Sequence, residues 1–286
     1  MIFDLIHAHF AWTSGYVGHK LKDIYNVPFV LTAHGYDIYR LPFQDPFYFK
    51  NIQAIINSAN INITVGEKIL ENYNRMYIDS KSIEVIPNGF SKKDFSVKDA
   101  LICREALQLP KDKTILLSIG SLEKVKGQDY LIDAFNIVQK SKEDIICVII
   151  GDGSQALNLK KKIKKLNLKK KILLVGYKKH SELSKWINAC DILVVPSLNE
   201  SFGVVQIEAM ACEKPIVATI NGGSEQLISE GKNGLLCPRK NPPALAEKIL
   251  LALEYTWNKK LISEYSKQYT WENVCKKIMR QHLKVL

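Results

Sequence analysis

The sequence predicts an α/β protein with two consecutive Rossmann-like domains built on parallel sheets. Short apolar runs alternate with amphipathic segments along the whole chain, which is typical of βα units. Several runs, such as Ile145–Ile150, are apolar at every position, as expected for strands covered on both faces. The alternation is interrupted once, where a Pro-Asn-Gly turn at 87–89 precedes a polar stretch from Ser91 to Asp99. We therefore place a domain boundary near residue 92.

The first domain, residues 1–92, is expected to be incomplete. Its predicted strands lie near Ile2–His7, Phe29–Thr32, Ile61–Val65 and Ile83–Ile86, and its amphipathic segments lie around Gly15–Tyr25, Pro46–Ser58 and Glu67–Tyr73. These are about four strands, whereas a complete doubly wound domain has about five or six.

The second domain, residues 93–268, carries a longer series of elements. Strands are predicted at Thr114–Ile119, Ile145–Ile150, Lys171–Val175, Ile192–Val195 and Ile216–Thr219, followed by helices around Pro243–Glu254 and Lys259–Tyr265. A terminal segment, residues 269–286, contains a helix from Trp271 to about His282 whose aromatic and apolar residues need a packing partner.

Composition favours a cytoplasmic protein. A chain of 286 residues with 47% apolar composition can bury one large core or two moderate ones. No stretch reaches the apolar length of a membrane span, and the first residues do not resemble a signal peptide. The six cysteines are scattered without a C-x-x-C pair, which favours reduced thiols.

The formal net charge of +11 invites a comparison with nucleic-acid-binding proteins. Only 5 of the 40 basic residues are Arg, the usual reader of base edges and phosphates, so we expect no nucleic-acid partner. The basic excess is greatest in the stretch Lys160–Lys171, where Leu157, Ile163 and Leu166 predict a helix with one buried face. The simpler interpretation is a solvated lysine face. The alternative is attraction to anionic lipid headgroups, which would place the protein peripherally at the inner face of the membrane.

The most informative segment joins a buried strand to a helix. The apolar strand Ile192–Val195 leads through a polar loop into a helix whose first turn contains Ser201, Phe202, Gly203 and Val204. The first N–H groups of such a helix have no intrahelical partner and favour an anion. Glu200 precedes the helix and Glu208 lies two turns into it, so that one acid can face each end of a bound nucleotide-sugar.

The segment from Glu200 to Glu208 resembles the E-x7-E signature of the large retaining glycosyltransferase family 4, which has the GT-B fold. The resemblance continues in order and spacing through the blocks EAMACEKPIVAT at 208–219, GGSE at 222–225 and GKNGLL at 231–236. Glu213 stands where the family usually has Gly. The resemblance covers essentially the whole chain, and the chain corresponds to the family fold without the first part of its N-terminal domain.

This resemblance implies two Rossmann-type domains facing a cleft, with the terminal helix crossing back onto the first domain. It implies transfer of a hexose from a nucleotide-sugar, such as a UDP- or GDP-hexose, to a hydroxyl of a glycan or lipid-linked acceptor, as in polysaccharide biosynthesis. In the family, Glu208 holds the donor ribose and Glu200 contacts the sugar ring. Residues Ser201, Phe202, Gly203 and Val204 offer backbone N–H groups to sugar and phosphate.

The loop after the strand Thr114–Ile119 resembles the family's diphosphate-binding loop. It contains Gly120 and Ser121, and Lys126 matches the family lysine that neutralises the phosphate of the leaving group. Ser121 replaces the family arginine, and a hydroxyl provides neither the fork of hydrogen bonds nor the charge. Lys124 is a candidate to compensate from the same loop. The alternative for Lys126 is an ordinary surface lysine at the start of a helix.

Among the histidines, His34 matches a family residue near the transferred sugar, where it can hydrogen-bond a hydroxyl. It follows a strand and so lies at the carboxyl edge where α/β sheets place ligands. His9 is a second candidate at the end of the preceding strand, although a lone histidine is more often structural. We assign no role to His19, His180 or His282. No D-x-D motif and no His or Cys pair with ligand spacing is present, so no metal is expected.

Three alternatives to an active glycosyltransferase arise from the sequence. The segment Gly151–Ala156 fits the G-x-G-x-x-A dinucleotide fingerprint, but the next strand ends without an acid for the ribose, so a nicotinamide enzyme is disfavoured and a structural turn is preferred. The main alternative to an active transferase is a truncated, inactive fragment that still binds nucleotide-sugar. A basic nucleic-acid-binding protein is the less favoured third possibility, and it predicts steeply salt-dependent binding.

Overall fold

The computed structural model describes residues 3–286 and divides the chain into two compact units. Unit 1 contains the residues up to Gly89 together with Trp271–Leu286, and unit 2 is Phe90–Thr270. The boundaries predicted from the sequence lie after residues 92 and 268.

Within the described part of unit 1, four parallel strands form one sheet in the order β1-β2-β3-β4. The strands and helices of this unit are β1 (Ile6–His9), α1 (Ser14–Tyr25), β2 (Phe29–Ala33), α2 (Tyr36–Tyr39), α3 (Pro46–Ser58), β3 (Ile61–Thr64), α4 (Leu70–Arg75), β4 (Ile83–Val85) and, from the end of the chain, the helix Trp271–His282.

The first strand begins and ends later than the sequence predicts. The predicted strand near Ile2–His7 becomes Ile6–His9, because β1 pairs with β2 from Ile6 opposite Phe29 to His9 opposite Thr32. Ile2 lies outside the described residues. The shift places both His7 and His9 in the strand, with His9 as its last residue.

The helix Trp271–His282 packs on the sheet of unit 1. Its Val274 is buried in one cluster with Val30, Ile63 and Ile86 of the sheet and the segment after it, and Ile278 packs at the edge of the same cluster. Burial of this apolar stripe against the sheet accounts for the position of a helix that is distant in sequence.

Residues 90–270, all of which the structure describes, contain a parallel six-stranded sheet in the order β10-β9-β8-β5-β6-β7. Its elements are α5 (Ala100–Ala106), β5 (Thr114–Ile119), α6 (Gln128–Ser141), β6 (Ile145–Ile150), α7 (Ala156–Lys165), β7 (Ile172–Leu174), α8 (His180–Ala189), β8 (Ile192–Val195), α9 (Val204–Ala211), β9 (Ile216–Thr219), β10 (Gly234–Cys237), α10 (Pro242–Glu254) and α11 (Lys259–Ser266), after which α12 (Trp271–His282) returns to unit 1.

The strand order of unit 2 is that of a doubly wound nucleotide-binding domain. Numbered within the unit, its strands follow the order 3-2-1-4-5-6, and the order reverses between β5 and β8. Every residue of β5 except its first and last, and every residue of β6 and β8, is buried, which explains the continuous apolar runs in the sequence. The structure adds β10, which the sequence does not predict.

Candidate functional site

In unit 2 the loops after β5 and β8 meet at the carboxyl edge of the sheet, where the strand order reverses. The two loops touch through their backbones: Leu198 N donates to Val125 O at 2.7 Å. Gly127 has a φ of +66°, and a Cβ atom there would lie 2.1 Å from Pro196 O. Only glycine therefore permits this approach. Open α/β sheets bind their ligands at such a switch point.

Lys126 and Glu200 form an ion pair across these two loops. The ammonium of Lys126 donates to Glu200 Oε1 at 2.8 Å and to Oε2 at 3.0 Å, and the Ser197 hydroxyl donates to Oε1 at 2.7 Å. The side chains are 28% and 14% exposed, respectively. The structure thus brings together the two residues predicted to hold the phosphate and the sugar. Since an ammonium has three donors, one remains for another acceptor.

The diphosphate-loop candidates Gly120 and Ser121 follow β5 directly. Gly120 N donates to Ile150 O at 3.0 Å, which fixes the start of the loop to β6. Ser121 is exposed, its carbonyl accepts from Gln128 Nε2 at 3.1 Å, and its hydroxyl has no protein partner among the described residues. Lys124 is exposed on the same loop.

The Gly-rich turn after β6 supports this loop. Leu122 N donates to Asp152 O at 2.8 Å, and the Glu123 carboxylate accepts from the N–H and the hydroxyl of Ser154 at 2.9 and 2.6 Å. The hydroxyl and the N–H of Ser154 lower the pKa of Glu123. These contacts agree with the structural turn that the sequence favours at Gly151–Ala156. Glu123 is a positioning residue that the motifs did not reveal.

The predicted backbone donors lie in the turn before α9 and at its first residue. The sequence predicts that the first turn of the helix contains Ser201, Phe202, Gly203 and Val204, whereas α9 begins only at Val204 because Gly203 before it has a left-handed backbone, with a φ of +95°. Ser201, Gly203 and Val204 are half-buried, whereas the Phe202 side chain is 2% exposed and contacts the Tyr269 ring, so that only its backbone belongs to the site. Within residues 3–286 no side chain caps this helix. Its first N–H groups are therefore available to an anion.

Gly203 is required at the start of α9 for two reasons. Its φ is +95°, and a Cβ atom there would lie 2.1 Å from Gln206 Nε2. Gln206 is fully buried, and neither polar atom of its amide has a hydrogen-bond partner among the described residues. The side chain of Gln206 thus fills the space that a larger residue at 203 would need.

Glu208 lies deep in α9 and is bonded by a residue that we did not select from the sequence. Its side chain is 3% exposed, and Oε1 lies 2.6 Å from Nε2 of His180, the first residue of α8. Burial raises the pKa of Glu208, and the contact with His180 acts in the opposite direction. The position of His180, just beyond a strand at the carboxyl edge, was the only sequence signal for it.

In unit 1, His34 and His9 belong to a group of four histidines. His9 Nδ1 lies 2.9 Å from His34 Nε2, and His7 Nδ1 lies 3.0 Å from Nε2 of His282 on α12. The His7 and His9 rings stack with centroids 4.6 Å apart. Burial lowers the pKa values of His7 and His34 to about 4, aided by neighbouring histidines, and lowers those of His9 and His282. The imidazoles are therefore neutral at neutral pH.

A buried carboxylate, Asp37, fixes the loop that carries His34. It accepts from the backbone N–H groups of Ala11, His34 and Gly35 at 2.7, 3.1 and 2.8 Å. Burial raises the pKa of Asp37 more strongly than these hydrogen bonds lower it. Asp37 joins the segments after β1 and β2 and is a second positioning residue that sequence reasoning missed.

Within residues 3–286, no group of three or more His, Cys, Asp and Glu side chains is arranged to hold a metal ion. Across the same range, each helix is too short or too polar to cross a membrane.

A parallel sheet of this order, with an ion pair and an uncapped helix at its switch point, is the architecture of α/β proteins that bind ligands at the carboxyl edge of the sheet. Comparison with known families identifies it further. The profile described as "Glycosyl transferases group 1" matches residues 101–269, and that described as "Glycosyltransferase Family 4" matches residues 2–93. The chain therefore belongs to the group 1, family 4 glycosyltransferases, which are transferases with the GT-B fold.

Individual relatives agree with this assignment. An uncharacterized glycosyltransferase of Methanocaldococcus jannaschii is 35% identical over 278 residues, which cover 94% of this chain and 72% of the relative. The sucrose-phosphate synthase of Thermosynechococcus elongatus superimposes with a TM-score of 0.85 and 25% identity over 99% of this chain and 73% of its own. Anabaena HepE, solved in complex with UDP-glucose, has a TM-score of 0.85 and 24% identity over 98% of this chain and 79% of its own.

Proposed function

We propose that the chain is a retaining hexosyltransferase that takes its sugar from a nucleoside diphosphate donor bound at the carboxyl edge of unit 2. The contact between Lys126 and Glu200 across the switch point carries this proposal. It places a cation with one unused N–H beside a carboxylate, a few residues before the free amides of α9. A UDP-hexose is the first donor to test, because HepE was solved with UDP-glucose; a GDP-hexose is the second.

In this proposal Lys126 and the amides of residues 201–204 meet the charge that develops on the departing diphosphate. Glu200 hydrogen-bonds the sugar ring while remaining paired with Lys126 and Ser197. Glu208 holds the ribose. Donors that are fixed before the reaction stabilise such charge without reorganising.

Retention follows when acceptor attack and leaving-group departure occur on the same face of the sugar. The acceptor hydroxyl forms the new bond to the anomeric carbon, the bond to the phosphate oxygen breaks, and the departing phosphate takes the proton. No dedicated protein base is then needed.

His34, on unit 1, is proposed to hydrogen-bond a sugar hydroxyl as a neutral imidazole, which its lowered pKa of about 4 supports.

We further propose that neither a metal ion nor an organic cofactor takes part, because Lys126 and the helix amides supply the positive potential. Chelation by EDTA is expected to leave turnover unchanged. Turnover that is lost with EDTA and returns with Mg²⁺ or Mn²⁺ contradicts metal independence.

Thermal shift and product analysis test the main proposal. UDP at about 100 times its Kd is expected to raise the melting midpoint of unit 2 by about 5–10 °C. Lys126→Ala and Glu208→Ala should each remove most of that shift, whereas His19→Ala, a histidine bonded to Ser58 in unit 1, should not. With UDP-α-glucose, NMR should show an α-linked product; a β-linked product refutes retention. Binding without transfer or hydrolysis of any donor would favour the inactive-fragment alternative.

The lysine-rich stretch Lys160–Lys171 suggests where such an enzyme meets a lipid-linked acceptor. Lys162 is bonded to Asp133 and Lys171 to Gln139. The other lysines of the stretch are exposed and lack partners among the described residues: Lys160, Lys161, Lys164, Lys165, Lys169 and Lys170.

Beside α7 lies a surface groove of about 500 Å³. Its walls include Ile163, Ile172 and Leu174, and several of the lysines form its rim. Apolar walls with cations at the rim complement an anionic phospholipid. We therefore propose a cytoplasmic enzyme that binds peripherally to the inner face of the membrane and uses a glycan or lipid-linked acceptor.

Vesicle sedimentation tests this contact. Replacing Lys160, Lys161 and Lys164 together by Gln should weaken binding to phosphatidylglycerol vesicles by on the order of 100-fold. The matched control replaces Lys232, Lys259 and Lys260, which are also exposed in unit 2. Equal losses in the two triple variants would mean that net charge, and not this surface, governs binding.

A further inference from the structure

The carboxylate of Glu208 is covered by an imidazole from another part of unit 2. His180 Nε2 lies 2.6 Å from Glu208 Oε1, although the two residues are 28 positions apart. The side chain of Glu208 is 3% exposed and that of His180 is 64% exposed. A surface histidine thus stands between solvent and an almost fully buried acid.

Two further contacts hold His180 in this position. It is the first residue of α8, and the start of this helix is fixed by the Glu182 carboxylate, which accepts from Lys179 N at 3.0 Å. The His180 ring also lies against Phe95, with centroids 5.1 Å apart, and Phe95 is itself 1% exposed. The imidazole therefore packs against a buried aromatic residue, and its backbone belongs to a helix start that a side-chain hydrogen bond holds.

This arrangement leaves Glu208 with one oxygen engaged and one free. Among the described residues, only Oε1 has a hydrogen-bond partner. Burial raises the pKa of Glu208, and the contact with His180 acts in the opposite direction. The hydrogen bond from His180 favours the anion and sets the plane of the carboxylate, since a carboxylate with one fixed oxygen turns its other in a defined direction.

We propose that His180 is a positioning residue for the donor: it donates from Nε2 to Glu208 Oε1 and thereby directs Oε2 toward the hydroxyls of the donor ribose. This inference rests on the proposed function, in which Glu208 binds the ribose. It adds the first residue of α8 to a site otherwise built from the loops after β5 and β8. His180 acts through Glu208 and does not itself need to touch the donor.

The proposal differs from a purely structural role in one measurable way. If His180 only stabilised the start of α8, its removal would lower stability and weaken all ligands alike. If it orients Glu208, its removal weakens recognition of the ribose hydroxyls in particular. The ratio of the Kd of a deoxyribose analogue to that of the parent nucleotide isolates this contribution, because both ligands share the base and the diphosphate.

Isothermal titration of the full chain provides the test. UDP, GDP and ADP are compared first, and the tightest is then compared with its 2′-deoxy and 3′-deoxy analogues. In the wild type, the worse analogue is expected to bind about 10–100-fold more weakly, as for loss of a hydrogen bond to a charged group. Glu208→Ala should reduce the ratio to about 1, and His180→Ala should reduce it by about 10-fold.

Rescue and controls complete the design. His180→Gln retains an N–H donor of similar reach and should restore the ratio to within about 3-fold of wild type. Ser181→Ala, at the next and exposed position of α8, should leave it unchanged. Melting curves show whether each variant is folded, and the Gln variant keeps the comparison valid if the Ala variant is unstable.

The outcomes separate this inference from the proposed function. If Glu208→Ala abolishes the ratio of the two Kd values but His180→Ala leaves it at the wild-type value, the role of His180 is wrong and that of Glu208 stands. A wild-type chain that binds none of the three nucleotides overturns both. A Kd ratio that falls in His180→Ala and returns toward the wild-type value in His180→Gln supports the inference.

Discussion

Replacing Lys126 by Met tests the ion pair at the switch point of unit 2. Methionine keeps most of the side-chain length but removes the ammonium that donates to both oxygens of Glu200, at 2.8 and 3.0 Å. Among the described residues, the Glu200 side chain then retains only the hydroxyl of Ser197, at 2.7 Å. Since the Glu200 side chain is 14% exposed, water replaces the missing donor only in part. The carboxylate is therefore destabilised in the folded state.

The expected loss of folding stability in Lys126→Met follows from how deeply the ion pair is buried. An exposed ion pair contributes about 0–1 kcal/mol, and breaking a fully buried one costs about 3–5 kcal/mol. With Lys126 28% and Glu200 14% exposed, we expect a loss of about 1–3 kcal/mol. For a unit of this size, that lowers the melting midpoint by about 2–10 °C. Loss of one fixed donor to the leaving group should reduce kcat by about 10²–10³.

A double variant separates the loss of stability from the loss of catalysis. In Lys126→Met/Glu200→Gln the orphaned charge is also removed, so calorimetry should show that about half or more of the lost stability returns. Transfer, measured as release of UDP from UDP-glucose, should remain low, because the double variant still lacks the ammonium. A double variant no more stable than Lys126→Met would refute the energetic reasoning. Transfer by Lys126→Met at the wild-type rate would refute the catalytic role.

Three further perturbations test other parts of the structure. Burial raises the pKa of Glu208, which penalises the folded state as pH rises above the ordinary carboxyl range. The stability of Glu208→Gln relative to wild type should therefore increase in calorimetry as pH rises above that range, and a difference that does not change with pH contradicts this. The pKa values of His7 and His34 are lowered from 6.5 to about 4, so the two neutral imidazoles contribute stability above pH 6.5 that is lost as pH falls toward 4. In His7→Asn and His34→Asn, the melting midpoint should therefore fall less steeply as the solution is acidified. Gly203→Ala should reduce stability by at least about 1–2 kcal/mol and weaken UDP binding, whereas Gly176→Ala, also at positive φ but with open space around it, should affect stability alone.

Much of the fold of unit 2 could be predicted because buried parallel strands are apolar at every position. The strands Thr114–Ile119, Ile145–Ile150, Ile192–Val195 and Ile216–Thr219 have the predicted bounds. The strand β10 was missed because its short sequence, Gly-Leu-Leu-Cys, has no signal of its own. It becomes a strand by pairing with β9, from Gly234 opposite Ile216 to Cys237 opposite Thr219. That pairing is a tertiary contact that local propensity does not contain.

The candidate site was predictable only as separate residues. Sequence motifs pointed to Lys126, Glu200 and Glu208, and the structure places all three in unit 2. The contact of Lys126 with Glu200 joins residues 74 positions apart, and no periodicity encodes it. The sequence gives His180 no functional signal, because a single histidine is usually structural and its contact with Glu208, 28 positions away, depends on how α8 packs against α9.

The strand order explains why the two acids acquire partners from different loops. Because β8 lies beside β5, the loop that carries Glu200 meets the loop that carries Lys126. In the strand order, β7 lies at one edge of the sheet and β8 lies on the other side of β5. The helix α8, which connects β7 to β8, therefore crosses the sheet, where it contacts β5 and packs against α9. The first residue of α8 then reaches the acid in the middle of α9. One topological feature therefore supplies both the cation beside Glu200 and the imidazole beside Glu208.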